Sequence, residues 1–106
     1  SSSFENLVYL HLRKEDYENI YYYKTKTGKE VDFVTQQANG KIKLYQACVT
    51  LNNEKTKNRE ISAIVDAAKE LNLNEAFIIT SDESEVIELS SLKIHVIPYW
   101  QWVLPN

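Results

Sequence analysis

A chain of 106 residues, 43% hydrophobic and 25% charged, fits one soluble globular domain with a single core and is too short for two. Its net charge of −3 gives no global electrostatic case for nucleic acid, and no run approaches the roughly 20 apolar residues of a membrane span. One cysteine, Cys48, excludes an intrachain disulfide, and two histidines, His11 and His95, are too few for a Cys/His zinc cluster. With no basic-then-apolar leader, a cytoplasmic location is expected. The absence of methionine suggests that residues 1–106 are a piece of a longer polypeptide.

In chain order, Phe4, Leu7, Val8, His11 and Leu12 repeat at helical spacing and predict an amphipathic helix over 3–14, with Ser2 and Glu5 spaced as a capping box. The aromatic run IYYYKT, the Gly-centred TGKE and the run EVDFVTQQ predict a hairpin. Asn39-Gly40 predicts a second hairpin into KIKLYQACVT, the third strand. Residues 51–58, LNNEKTKN, read as a polar loop before a helix whose apolar stripe is Ile61, Ile64, Val65, Ala68 and Leu71. AFIIT, 76–80, is a short apolar run of the kind found in strands covered on both faces, so strand three, helix two and this strand predict a parallel βαβ crossover. Two short strands, 85–89 and 93–97, follow, with the direction of the last left open. Pro98 stops that strand and YWQWVL forms a final apolar turn. The expected fold is α/β: an α-β-β-β-α-β core with a mixed sheet flanked by helices and extra C-terminal strands.

GKEVDF, 28–33, puts two carboxylates inside an apolar strand. Strand alternation places Glu30 and Asp32 on one face and both Val31 and Phe33 on the other. On strand three, Leu44, Gln46 and Cys48 share a face, so Asp32 is expected to meet Gln46 and Cys48, with Glu5 of the first helix above them. Carboxylates on a rigid sheet suit a hard cation such as Mg²⁺, whereas charge on an edge strand protects against aggregation; both readings stand.

The element order, the acid of G-x-E-V-D-F on strand two and the polar-x-polar pair of LYQACV resemble the PD-(D/E)XK, or restriction-endonuclease-like, nuclease superfamily. More narrowly, FENLVYLHLR, YYYKTKTGKEVDFV, LYQACVTL, NREISAI, AFIIT and KIHVIPYWQWVL resemble the uncharacterised C-terminal domain that follows an AAA-type ATPase module in many bacterial and archaeal proteins. The superfamily resemblance implies a magnesium site in which Asp32 is the strand-two acid, Gln46 stands at the position of the second acid and Cys48 at that of the lysine. Two of the three positions depart from the pattern. Gln46 offers a neutral oxygen where a carboxylate would balance a cation, and Cys48 offers no ammonium to orient water or offset developing charge. Glu30 and Glu5 are secondary metal-site candidates, although Glu30 also suits a solvated strand start and Glu5 a helix cap.

Lys24, Lys26 and Lys29, with Lys41 and Lys43 across the next hairpin and tyrosines 21–23 beside them, are the candidate nucleic-acid contacts; the bland alternative is a sheet core with a solvated rim. The acidic run DESE, 82–85, opposes a wholly basic surface. His11 reads as a packed imidazole, Cys48 as a small buried hydrophobe, and Trp100 and Trp102 as a cap on the core or a docking pair. The favoured reading is a degenerate nuclease-like domain serving as a binding or regulatory module. It needs no cofactor of its own; ATP belongs to an upstream ATPase module, the expected partner in the same chain, and DNA is a further candidate partner. The alternatives are an active Mg²⁺-dependent DNA endonuclease and a protein-interaction domain without a nucleic-acid role. No membrane partner is expected, and oligomerisation is left open.

Overall fold

The computed structural model describes residues 3–15 and 19–105. Its elements are α1 (Ser3–Lys14), β1 (Asn19–Lys24), β2 (Glu30–Gln36), β3 (Ile42–Ala47), α2 (Glu54–Leu71), β4 (Glu75–Thr80), β5 (Glu85–Leu89), β6 (Leu92–Pro98) and the single turn α3 (Tyr99–Trp102). The strands form one six-stranded sheet in the order β1-β2-β3-β4-β6-β5. β1, β2 and β3 form an antiparallel meander, β4 runs parallel to β3 after the α2 crossover, and β6 runs parallel to β4. β5 turns back antiparallel to β6 at the far edge, which gives the last strand its direction. This is a mixed α/β fold with helices on both faces of the sheet.

Turn chemistry sets the meander. Both hairpins use a glycine at positive φ, Gly28 at 87° and Gly40 at 88°, where a side chain would be strained. The first turn is also fastened to α2: Tyr23 Oη and the Lys26 amide donate to Glu70, and Thr27 Oγ1 donates to Asp66.

α2 lies under one face of the sheet. Ile64, Ala67 and Ala68 pack there against Val31, Val34, Leu44, Ile78, Ile94 and Val96. On the other face, Val8 and Leu12 of α1 cover Phe33, Tyr45 and Ile79, with Tyr99 and Trp102 of α3 beside them. Core residues on both faces explain the near-continuous apolar run of β4.

Two expectations are corrected. The segment 51–58 is not all loop: α2 begins at Glu54, capped by Asn53, whose Oδ1 accepts the Thr56 amide at 3.0 Å. Its first turns are polar because they precede the apolar stripe and lie largely at the surface, and Glu, Lys and Arg are good helix formers there. Second, Val31 and Phe33 do not share a face, since Val31 packs on the α2 side and Phe33 on the α1 side. The cause is a bulge in β2. Tyr21 pairs with Val34 but Tyr23 pairs with Val31, so three steps on β2 oppose two on β1 and the alternation slips by one residue. The proposed Ser2–Glu5 capping box rests on Ser2, which lies outside the described residues.

No helix among the described residues is long and apolar enough to cross a membrane.

Candidate functional site

The carboxyl ends of the parallel strands of an α/β sheet are where ligands and catalytic groups ordinarily gather. Here that end holds the bulged part of β2, the end of β3 and the early turns of α2. β2 and β3 pair from Gln36↔Ile42 as far as Phe33↔Tyr45. Past that point a side chain replaces the ladder: Gln46 Oε1 accepts the Asp32 amide at 2.8 Å, and Gln46 Nε2 donates to the Glu30 carbonyl at 3.2 Å. The amide thus serves β2 as a neighbouring peptide group would. Asp32 returns the contact, its Oδ2 accepting the Ala47 amide at 2.8 Å. Gln46 is 2% exposed, so these bonds are made away from solvent, where an unmade one is costly.

Charge around this brace is acidic. Burial is the main force that raises the Asp32 carboxyl to about 6; the Ala47 amide opposes the shift, and the negative charges of Glu5 and Glu30 add to it. Glu60 of α2 is raised further, to about 7, first by burial and then by the charge of Asp32, against the relief given by Arg59. Arg59 Nη2 sits 3.6 Å from the Glu60 carboxylate. The Cys48 thiol is pushed up by its partial burial and by Glu60, and its Sγ donates to the Thr50 carbonyl at 3.2 Å. A raised thiol pKa suits a packed, inert cysteine and not a nucleophile.

The structure therefore brings Asp32 and Gln46 into direct contact and sets Glu5, Glu30 and Cys48 around them. It adds Glu60, which the sequence reading passed over. A signal for it existed: Glu60 stands three and four residues before Ala63 and Ile64, both buried against the sheet, which places it on the inward edge of the helix.

One oxygen of Asp32 is held by a backbone amide, both ends of Gln46 are committed to β2, and no group of three or more His, Cys, Asp or Glu among the described residues is arranged to hold a metal ion.

The candidate basic contacts do not converge on the site. Lys29 Nζ donates to Ser62 Oγ at 2.6 Å and pairs with Asp66 at 3.1 Å, both on α2. Lys24 is the strand neighbour of Glu30, and the Lys26 amide is held by Glu70. Lys43 lies over the Phe77 ring, 5.8 Å from its centroid; Lys41 donates its amide to Asn39 in the second turn. Of the tyrosines, Tyr23 packs beside the core while Tyr21 and Tyr22 are exposed. His11 stands edge-on to Trp102 at 4.5 Å and pairs with Glu15 at 3.8 Å. Trp102 also meets Tyr45, while Trp100 is exposed. The acidic run at 82–85 has a structural part: Glu83 accepts from Thr50 Oγ1 and from the Leu51 amide, and Glu85 pairs with Lys57 at 2.9 Å.

A family model described as a domain of unknown function (DUF4143) matches residues 1–102. No curated protein matches the chain.

Proposed function

We propose that this chain, which belongs to the DUF4143 family, is a degenerate nuclease-like domain that works as a binding or regulatory module beside an AAA-type ATPase. The α-β-β-β-α-β order with α1 and α2 on opposite faces of the sheet supports restriction-endonuclease-like ancestry. The observation that carries the proposal is the Gln46 brace. At the place where a PD-(D/E)XK site would put its second acid, a neutral amide spends both of its polar ends on holding β2. Nor does the neighbouring lysine position supply a cation, since Cys48 is a packed thiol with a raised pKa.

What remains is a domain whose old catalytic end has become a joint between strands and whose surface is left for recognition. That surface mixes signs, with Lys29–Asp66, Lys57–Glu85 and His95–Glu75 pairs. Mixed charge favours a protein partner over a polyanion. ATP binding and hydrolysis would belong to the ATPase module and not to these residues.

The test is incubation of the chain with supercoiled, linear and single-stranded DNA in Mg²⁺ or Mn²⁺, beside Asp32→Ala and Glu60→Ala. The expected result is no cleavage by any of the three. Cleavage by the native chain that disappears in both variants would overturn the proposal and establish an endonuclease in which Glu60 takes the place left by Gln46.

A further inference from the structure

The two edges of the sheet are built differently. β5 carries Glu85 and Glu88 along an exposed strand, directly after Asp82 and Glu83, and such charges are a standard guard against strand addition. β1 has no comparable guard. Its centre, Ile20-Tyr21-Tyr22-Tyr23, contains no charge, proline or glycine, and every residue in it favours extended structure. Tyr21 and Tyr22 are 48% and 59% exposed, and alternation sends them to opposite faces of the sheet, so uncovered aromatic surface flanks this edge on both sides. The bulge lies in β2, which leaves the outer side of β1 regular. The hairpin that presents β1 is held by the bonds of Tyr23, Lys26 and Thr27 to α2, so little ordering would remain to be done on binding.

We infer that β1 is an association edge, and that its occupant is a second copy of this chain joined antiparallel through β1 into one continuous twelve-stranded sheet. Antiparallel pairing about a two-fold axis normal to the sheet sets residues of the same face opposite each other. Tyr21 then meets Tyr21 of the second copy, or Tyr22 meets Tyr22, and the exposed rings of both chains are covered together. Charge agrees with this arrangement. Lys24, the one charged residue of the strand, sits next to Glu30 and is carried to the end of the interface away from the other copy's Lys24. Self-pairing through β5 would instead bring rows of glutamates together. The area is small: a tyrosine presents on the order of 200 Å², so four half-exposed rings contribute on the order of 400 Å², to which the two strand edges add backbone surface, and the interface falls at the low end of the range for specific association. The dimer is therefore weak.

Sedimentation equilibrium of the chain from about 5 to about 500 µM tests this over a range wide enough to populate a weak dimer. The expected result is a mass that rises from one chain to two and stops there. In the double variant Tyr21→Lys/Tyr22→Lys, with its circular dichroism unchanged, the mass stays at one chain throughout. Leu104→Lys, which removes an exposed apolar residue elsewhere, leaves the dimer intact. A native chain that remains monomeric over the whole range overturns the inference, as does a double variant that still dimerises. Assembly that continues past two copies also overturns it, since that points to head-to-tail addition of β1 to β5.

Discussion

At the scale of single residues, Gln46 and Asp32 define the molecule more than any other pair. Gln46 is buried and both ends of its amide are bonded to β2, so Gln46→Ala orphans the Asp32 amide and the Glu30 carbonyl together. Two unmade, partly buried bonds and a small cavity should cost about 2–4 kcal/mol, read as a lowered midpoint in urea unfolding. Asp32 acts in the opposite sense at neutral pH. Its folded carboxyl is raised to about 6 from the ordinary 3.8, so the folded state holds its proton more tightly than the unfolded state does. The contribution is neutral below the unfolded value, and stability falls as pH rises from about 4 through about 6. Glu60, raised to about 7, extends the same loss further up the scale. Asp32→Asn, which keeps an oxygen for the Ala47 amide, and Glu60→Gln should each raise the melting temperature at pH 8 and give little gain at about pH 3.5, below the unfolded values of both groups. A thermal melt series across that range checks the sign.

At the scale of elements, helix ends and one loop carry testable weight. Asn53 caps α2 through the Thr56 amide, and Asn53→Ala should cost about 1 kcal/mol of stability. Asn72 closes the same helix in the left-handed region at φ 57°, with its own amide and that of Leu73 bonded to Lys69 and Ala68. There Asn72→Gly should stabilise slightly, and Asn72→Ala should destabilise by roughly 1 kcal/mol; denaturant midpoints separate the two. Glu83 fixes the loop between β3 and α2 by accepting from Thr50 and Leu51, so Glu83→Ala should speed amide exchange at residues 49–53 before it affects the strands.

The elements also show what a single sequence can and cannot display. Asn39-Gly40, the stripe from Ile61 to Leu71 and the unbroken AFIIT were legible because turn geometry, helical period and burial on both faces each leave a local signature. The bulge in β2 was not, since it depends on how β2 meets β1 and leaves EVDFV looking like regular alternation. That one slip hid the separation of Val31 from Phe33. The start of α2 was missed because a polar, surface-lying first turn resembles a loop. At the site, the meeting of Asp32 with Gln46 could be expected from the hairpin register, whereas the use of the amide as a ladder rung could not. Glu60 sits among the polar first turns of α2, where composition hides it, although its helical phase relative to Ala63 and Ile64 points inward.

At the scale of the whole molecule, α2 closes one face of the sheet while α1 and α3 cover part of the other, and the carboxyl end between the helices is tied shut by side-chain bonds to backbone. Under the proposed function, this arrangement serves a rigid recognition body. We propose that this end of the sheet does not bind a catalytic cation. The most direct measurement is Mn²⁺ titration followed by electron paramagnetic resonance, on the native chain and on Asp32→Asn at pH 7.5. Equal and weak uptake by both, in the millimolar range or above, is the predicted result; a tight, stoichiometric Mn²⁺ site present in the native chain and lost in Asp32→Asn would contradict the account.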